Sequence, residues 1–103
     1  MTMNDIAVSV ITVTFNAEDC IQRTLDSVLM QTYADVEHII MDGASSDGTA
    51  DIARRYRDAH TDRRIVVVSE PDKGLYDAMN KAMAIASGTY LCFLNAGDKL
   101  HSA

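Results

Sequence analysis

Hydrophobic and polar positions along the chain follow two alternating periods. Runs rich in β-branched and other apolar residues predict four strands, at positions 8–14, 36–41, 65–69 and 90–94. Segments with apolar residues at helical spacing predict three helices, at positions 17–30, 49–60 and 75–87. Strand and helix alternate throughout, which is typical of an α/β fold with one parallel sheet flanked by helices.

Local features add detail to these elements. Asn16 is expected to cap the first helix, because a side-chain oxygen there can accept a free backbone N–H group. Asp47 or Thr49 is expected to cap the second helix, whose start also offers N–H groups to an anion. In the third helix, the residues that follow helical spacing and are expected to face the core are Leu75, Met79, Ala82, Met83 and Ala86. The third strand is apolar almost throughout, which suits burial on both faces.

Polar residues follow the predicted strands at the points where they end. Right-handed crossovers make the strands parallel, so that their carboxyl ends lie along one edge, where α/β sheets bind ligands. The residues expected at this edge are Thr14, Asn16, Asp42, Glu70, Asp72, Lys73, Asn95 and Asp98. Helix capping alone explains Asn16, but an acid directly after an apolar strand, as at Asp42, is poorly placed for a solvated surface.

Composition excludes several classes of function. The 103 residues suffice for one domain, and 48% hydrophobic with 23% charged residues is ordinary for a globular protein. A net charge of −6 provides no broad basic surface for a nucleic-acid backbone, so no nucleic-acid partner is expected. His38, His60 and His101 lack metal-ligand spacing and are predicted to be structural or exposed.

The cysteines and the first residues indicate a reducing location. Cys20 and Cys92 fall in a predicted helix and a predicted strand, which suits small buried hydrophobes rather than a disulfide framework. Residues 1–5 lack the basic start of a secretion signal, and no apolar run reaches membrane-spanning length. We therefore expect a cytoplasmic protein.

Five segments resemble, in order and at the expected spacing, the N-terminal half of GT-A glycosyltransferases. They are residues 8–16, 31–33, 42–49, 70–81 and 88–98. More narrowly, they are similar to the large inverting family that builds bacterial polysaccharides. The resemblance implies a Rossmann-like sheet of strand order 3-2-1-4. It also implies a nucleotide-diphosphate sugar donor, whose sugar passes to a hydroxyl acceptor in one inverting displacement.

The resemblance assigns residues to this donor site. The segment after the first strand matches the one beside the nucleoside, and Asp42 matches an acid of the base-binding loop. The loop after the third strand matches the one near the ribose or diphosphate. The nucleotide-sugar-binding residues implied in this way are Thr14, Phe15, Asn16, Asp42, Asp72, Lys73 and Asn95.

Asn95 to Asp98 take the place of the family's Asp-any-Asp metal motif. Asn95 and Gly97 stand where acids are common, which leaves Asp98 as the charged metal ligand and Asn95 as a neutral oxygen ligand. A Mg²⁺ or Mn²⁺ ion held there would neutralise the charge that develops on the departing diphosphate. Gly43 is a second departure, since many relatives have paired acids at this point of the second-strand loop.

The chain ends at Ala103, directly after this motif. In relatives the acceptor site and the general base lie beyond that point, so residues 1–103 are expected to form one donor-binding domain truncated before the acceptor half. The acceptor implied is a glycan or lipid-linked hydroxyl, which the full-length protein would meet at the inner face of the membrane. The fourth strand would then present an apolar edge, which predicts self-association through residues 90–94.

Two other functions remain open on the sequence. One is a non-catalytic nucleotide-sugar-binding or interaction module, since no residue is assigned as the general base. The other is a receiver-like signalling domain with Asp42 as the phosphoacceptor, although such domains need acids where this chain has Thr14, Phe15 and Asn16. A dinucleotide oxidoreductase is disfavoured, because no Gly-any-Gly-any-any-Gly follows the first strand.

Overall fold

Strands and helices alternate along the chain in the computed structural model, which describes residues 8–30 and 35–95. The strands are β1 (Val8–Thr14), β2 (Val36–Asp42), β3 (Arg64–Ser69) and β4 (Tyr90–Phe93). The helices are α1 (Ile21–Leu29), α2 (Thr49–Ala59) and α3 (Leu75–Ile85). The predicted type and order of the elements are confirmed.

All neighbouring strands pair in parallel, in the order β3-β2-β1-β4. This order confirms the 3-2-1-4 sheet that the resemblance implied. Thr14, Asp42 and Ser69 lie side by side in the pairing register, so that β1, β2 and β3 end on one row. The connections that follow these strands therefore start from the same edge of the sheet.

The helices cover both faces of the sheet, because side chains of a strand point alternately to opposite faces. On one face, α3 packs its small buried residues against β1 and β2. This cluster contains Ile11, Ile39, Met41, Ala78 and Ala82. On the other face, α1 and α2 pack against β2. That cluster contains Ile21, Leu25, Ile40, Ala53 and Tyr56.

The predicted core face of α3 is wrong in part. Leu75 and Met83 remain 47% and 39% exposed, whereas Ala78 and Ala82 are fully buried. Alanines four positions apart on a helix lie on the same face and let the helix approach the sheet closely. The larger apolar side chains therefore lie toward the margin of the contact.

The prediction that β3 is buried on both faces is also wrong. Its residues from Ile65 to Ser69 are half-buried, and Arg64 is exposed. The strand lies at the edge of the described sheet, with β2 on one side. Helix α2 packs against β3, whereas α3 packs against β1 and β2, so that β3 receives less cover on that face.

Helix α1 begins at Ile21, four residues later than the sequence predicted. The backbone N–H groups of Cys20 and Ile21 both donate to the Ala17 carbonyl, which makes residues 17–20 a turn before the helix. Asn16 does not cap this helix. It has a positive φ of 47°, and its side chain hydrogen-bonds to the loop after β2 instead.

A buried carboxylate ties the sheet together at the edge opposite the strand ends. Glu37 of β2 accepts hydrogen bonds from the Ser9 hydroxyl at 2.7 Å, Arg64 Nε at 2.9 Å, and the Ser87 amide and hydroxyl at 2.9 and 3.0 Å. Ser9 also accepts from the Gly88 amide at 2.8 Å. These contacts fix Ser87 and Gly88, directly before β4, and hence the place where β4 begins beside β1.

His38 is structural, as the sequence predicted. It is 2% exposed, and its Nε2 and Nδ1 lie 2.8 Å from Thr12 Oγ1 and 3.1 Å from the Tyr56 hydroxyl. Burial lowers the pKa of His38 to about 3, so that the imidazole stays neutral at physiological pH.

The thiols of Cys20 and Cys92 are free and half-buried rather than fully buried. Cys20 lies directly before α1, not within the helix predicted there. Within residues 8–30 and 35–95, no helix combines the length and apolar character that crossing a bilayer requires.

Candidate functional site

A cavity of about 320 Å³ opens at the carboxyl edge of the sheet. Three connections meet there, because the parallel strands that precede them end on the same side. The lining residues are Val13, Thr14, Phe15, Asp72, Gly74, Leu75 and Asn95. Of the predicted site residues, the structure brings together Thr14, Phe15, Asp72 and Asn95.

Thr14 forms part of the inner wall. Its residue is 3% exposed, and its hydroxyl has no hydrogen-bond partner among the described residues. Its backbone carbonyl accepts from the Gly43 amide at 3.0 Å, which holds the end of β1 against the loop after β2. A buried unpaired hydroxyl costs about 1–3 kcal/mol, so a ligand that supplied a hydrogen bond here would offset a cost already present.

Phe15 presents an aromatic ring at the mouth of the cavity, with 62% of the residue exposed. The following residue, Asn16, holds the turn in place. Its amide donates to Ser45 Oγ at 2.8 Å, and its Oδ1 accepts from the Ser46 amide at 2.8 Å. Asparagine tolerates the positive φ found here better than most residues. Asn16 therefore positions Phe15 and does not itself line the cavity.

Asp42 supports the loop from behind. The residue is fully buried, and its carboxylate accepts from the Ser45 amide at 3.0 Å, the Ser45 hydroxyl and the Ser69 hydroxyl at 2.7 Å. Ala44 adopts a positive φ of 61°, which lets the chain turn back toward the carboxylate. Asp42 does not line the cavity, and its role in binding a base stays a prediction.

Protein carboxylates bind two backbone N–H groups at the start of α2. Asp47 Oδ1 accepts from the Thr49 amide at 3.0 Å, as expected of a capping acid, and Glu18 accepts from the Gly48 amide. The Thr49 hydroxyl donates to Asp47 and accepts from the Ala17 amide. Hydrogen bonds from Thr49 lower the pKa of Asp47. The anion site expected at this helix start stays a prediction, and the Gly48 and Thr49 amides are already bonded within the protein.

The loop after β3 is held by short-range contacts. Asp72 Oδ1 accepts from the Gly74 amide at 3.0 Å, and Gly74 adopts a φ of 117° that side-chain-bearing residues rarely adopt. The Lys73 amide donates to Asp77 at 2.9 Å, while Lys81 Nζ donates to the Pro71 carbonyl at 2.9 Å. Lys73 is exposed and does not line the cavity.

Lys81 helps to hold the loop after β3, a role that the sequence did not single out. Its Nζ lies 3.4 Å from carboxylate oxygens of both Glu70 and Asp77. The Lys73 amide and the Lys81 ammonium together lower the pKa of Asp77. Lys81 closes the segment 70–81 that carries part of the resemblance, and nothing in its spacing distinguished it from a solvated residue.

The predicted metal site is described only in part. Asn95 is exposed, follows β4 and lines the cavity, and the preceding Leu94 amide extends the pairing with β1 by donating to the Ile11 carbonyl at 2.8 Å. Asp98 lies outside the described residues. In the ranges 8–30 and 35–95, no group of three or more histidine, cysteine or acidic side chains is arranged to hold a metal ion. The metal assignment stays a prediction.

Solved structures place this fold among the GT-A glycosyltransferases. The mannosyltransferase PcManGT from Pyrobaculum calidifontis, in complex with GDP-Man and Mn²⁺, superimposes with a TM-score of 0.88 and 29% sequence identity over 97% of this chain and 30% of that chain. Staphylococcus aureus TarS in complex with UDP-GlcNAc gives 0.82 and 26% identity over 91% and 27% of the two chains.

The sequence narrows this class to one family. The model of glycosyl transferase family 2 matches residues 9–101, and the chain belongs to that family. A protein of Bacillus subtilis named as a teichuronic acid biosynthesis glycosyltransferase, TuaG, is 46% identical over 93 residues, which are 89% of this chain and 36% of the relative.

A relative of Mycobacterium tuberculosis, named as a PGL/p-HBAD biosynthesis glycosyltransferase, is 39% identical over 95 residues. The match spans 92% of this chain and 37% of the relative. The chain thus spans somewhat more than a third of the length of these curated relatives.

Proposed function

We propose that this chain carries the donor site of an inverting glycosyltransferase. The enzyme would transfer a sugar from a nucleotide-diphosphate sugar to a hydroxyl acceptor during synthesis of a polysaccharide or cell-surface glycan. The observation that carries this proposal is the cavity at the carboxyl edge, where Thr14, Phe15, Asp72 and Asn95 meet. Family membership supports it, as do the nucleotide-sugar complexes of PcManGT and TarS.

The geometry suggests how the site divides its work. The exposed ring of Phe15 suits stacking against a nucleobase, because every base offers an aromatic face. Thr14 offers an unpaired hydroxyl in the adjacent wall. Asn16 ties the loop after β1, which carries Phe15, to the loop after β2, and Asp42 holds the loop after β2 against the end of β3. Lys73 is exposed beside this loop and is proposed to approach the diphosphate.

A divalent ion, Mg²⁺ or Mn²⁺, is proposed to bind at Asn95 and Asp98. The amide oxygen of Asn95 is a hard ligand of the kind these ions prefer, and it lies on the cavity wall where a diphosphate would complete the shell. When bound, the ion supplies positive charge that stabilises the departing diphosphate. The Mn²⁺ in the PcManGT complex supports this assignment.

The remaining parts of the reaction are proposed to lie outside these 103 residues. Asp77 is a poor general base, because the Lys73 amide and Lys81 both engage its carboxylate and lower its pKa. The match to little more than a third of the relatives leaves room for an acceptor half with its own base. We propose a glycan or lipid-linked acceptor, met by a cytoplasmic protein at the inner face of the membrane.

The outer edge of β4 is proposed to pair with a second chain. Tyr90, Leu91 and Phe93 are 69%, 42% and 41% exposed, and β4 pairs with β1 on one side. An apolar strand with unpaired backbone groups is a template for strand addition. Self-association of the 103-residue chain is the expected consequence.

Of the two alternatives, the receiver-like domain is ruled against by family membership. It also fits the geometry poorly, since a fully buried Asp42 that accepts three hydrogen bonds is badly placed to attack a phosphodonor. A non-catalytic nucleotide-sugar-binding module shares the donor cavity with the enzyme. It differs in the lack of transfer to any acceptor.

Calorimetry with UDP-, GDP- and dTDP-sugars, with and without Mn²⁺, tests the proposed site. We expect one of these donors to bind more tightly with the metal, and Asp98→Ala to abolish the metal dependence. Tight binding that is unaffected by Asp98→Ala would remove the metal assignment while leaving the donor cavity in place. The absence of binding with every donor would overturn the proposed function.

A further inference from the structure

We infer that Gly43 and Asp72 act as a pair that sets the nucleobase preference of the donor site, with the Asp72 carboxylate accepting hydrogen bonds from guanine. The inference rests on the proposed function, since it names the donor for the same cavity. Asp72 lines that cavity, whereas Gly43 lies directly behind it.

The contact between the two residues leaves no room for a side chain at position 43. A Cβ placed on Gly43 would lie 2.7 Å from Asp72 Oδ2 and 3.3 Å from Asp72 Cγ. The same Cβ would lie 3.5 Å from Cδ1 of Phe15. Because position 43 has no side chain, the Asp72 carboxylate can lie next to the exposed ring of Phe15.

A carboxylate at this position discriminates among bases through the pattern of hydrogen-bond donors on their edges. An ionised carboxylate is an acceptor only, with two oxygens that suit two adjacent N–H donors. Guanine presents such a pair in its N1–H and N2 amino groups. Uracil and thymine present one N–H group flanked by carbonyl oxygens, which would repel the second carboxylate oxygen.

The surrounding contacts keep the carboxylate oriented. Asp72 Oδ1 accepts from the Gly74 amide at 3.0 Å, which turns the carboxylate relative to the loop. The contacts of Asn16 with Ser45 and Ser46 fix the turn that carries Phe15, whose ring lies near Asp72. The Phe15 ring can stack against any base, whereas the Asp72 carboxylate distinguishes guanine from uracil and thymine.

Titration calorimetry of the 103-residue chain with GDP and UDP, in one Mg²⁺-containing buffer, tests the inference. We expect GDP to bind at least tenfold more tightly than UDP, which is the discrimination that one good bidentate contact provides. Asp72→Asn replaces one carboxylate oxygen by an amino group. That donor would face a donor of guanine, whereas the amide as a whole matches the N–H and carbonyl of uracil. The GDP affinity should fall tenfold or more, whereas the UDP affinity should not fall.

Gly43→Ala tests the space beside Gly43 separately from the Asp72 carboxylate. The added methyl group meets the tip of the Asp72 side chain rather than backbone, so the fold should survive while the carboxylate is displaced. GDP affinity should fall, and adding Gly43→Ala to Asp72→Asn should lower it little further, because both act on the same contact. Glu70→Gln is the matched control, since it removes an exposed acid of the same loop that does not line the cavity.

The outcomes separate this inference from the function on which it rests. Equal affinity for GDP and UDP, or an equal loss of both with Asp72→Asn, would overturn the guanine assignment while leaving the donor site supported. Additive losses from the two substitutions would overturn the pairing of Gly43 with Asp72. A wild-type chain that binds neither nucleotide would overturn the proposed donor site and the inference together.

Discussion

Glu37→Gln tests how the sheet is held at the edge opposite the cavity. Glu37 is 1% exposed, and each of its oxygens accepts two hydrogen bonds. Glutamine keeps one oxygen and replaces the other with an amino group, which then faces donors. The serine hydroxyls can rotate to accept from it, but the Ser87 amide and Arg64 Nε cannot.

The expected cost follows from the less damaging orientation of the amide. The amino group would face Arg64, whose side chain is 57% exposed and can turn to water, while the oxygen keeps the Ser87 amide. One hydrogen bond to a charged acceptor is then lost, at about 1.5–3 kcal/mol before the exposure of Arg64 reduces it. We expect a loss of about 2 kcal/mol in the free energy of unfolding, and a melting temperature lower by about 10 °C.

The dependence of this loss on pH gives a second readout. Burial raises the pKa of Glu37, but hydrogen bonds from Ser87, Ser9 and Arg64 outweigh it and hold the pKa below the ordinary value of 4.5. The unfolded chain therefore binds the proton first as pH falls, so the stabilisation is complete above 4.5 and is lost through the lower folded pKa. The difference in stability between wild type and variant should shrink below pH 4.5.

Urea or thermal unfolding of both proteins from pH 7 to pH 3 measures these quantities. Glu70→Gln is the control, because the same substitution at an exposed carboxylate should change stability by about 0.5 kcal/mol or less. A Glu37→Gln variant as stable as this control, or one whose deficit is independent of pH, would refute the role assigned to the buried carboxylate.

Three further predictions concern the cavity, the entry to β4 and the outer edge. Phe15→Ala should weaken nucleotide binding by 1–3 kcal/mol in calorimetry, through lost stacking, while the melting temperature changes little at this exposed site. Gly88→Ala should lower the free energy of unfolding in urea by about 1–3 kcal/mol, because its Cβ would lie 2.6 Å from the Ser9 backbone nitrogen. Ser87→Ala, at the neighbouring position, should lower it by less. Leu91→Lys should reduce self-association in light scattering; a wild-type chain that is monomeric at high concentration would contradict this edge contact.

The fold was predictable because each strand carries its own signal. The β-branched run from Val8 to Thr14 and the apolar run from Val36 ended within a residue of the observed strands. Alternation of these runs with helical periods is enough to imply a parallel sheet. The strand order needed the resemblance, since nothing in the local pattern says whether β4 lies beside β1 or beside β3.

Errors arose where distant contacts override local propensity. Asn16 is an ordinary capping residue by local rules, but Ser45 and Ser46 come from a loop about thirty residues away and take its hydrogen bonds. Ala78 joins the expected Ala82 on the core face of α3, while Leu75 and Met83 stay exposed, because close approach to the sheet favours small residues. Such preferences depend on the distance between layers, which the helical period does not encode.

The candidate site shows the same division. Of the polar residues expected at one edge, Thr14, Asp72 and Asn95 line the same cavity, because parallel topology brings strand ends together. Their separation into cavity wall and support was not predictable. Asp72 lines the cavity while Asp42 is buried behind it, and that difference depends on the space left by Gly43 and on the Ser69 hydroxyl.

NMR titration of the isotope-labelled chain with a nucleotide-diphosphate sugar and Mg²⁺ tests the central claim most directly. Binding at the carboxyl edge should shift the amide signals of Thr14, Phe15, Asp72 and Asn95. Signals around the second cavity, between Gln22 and Tyr56, should stay in place. Shifts confined to that second cavity, or none with any donor, would contradict a donor site at the ends of the strands.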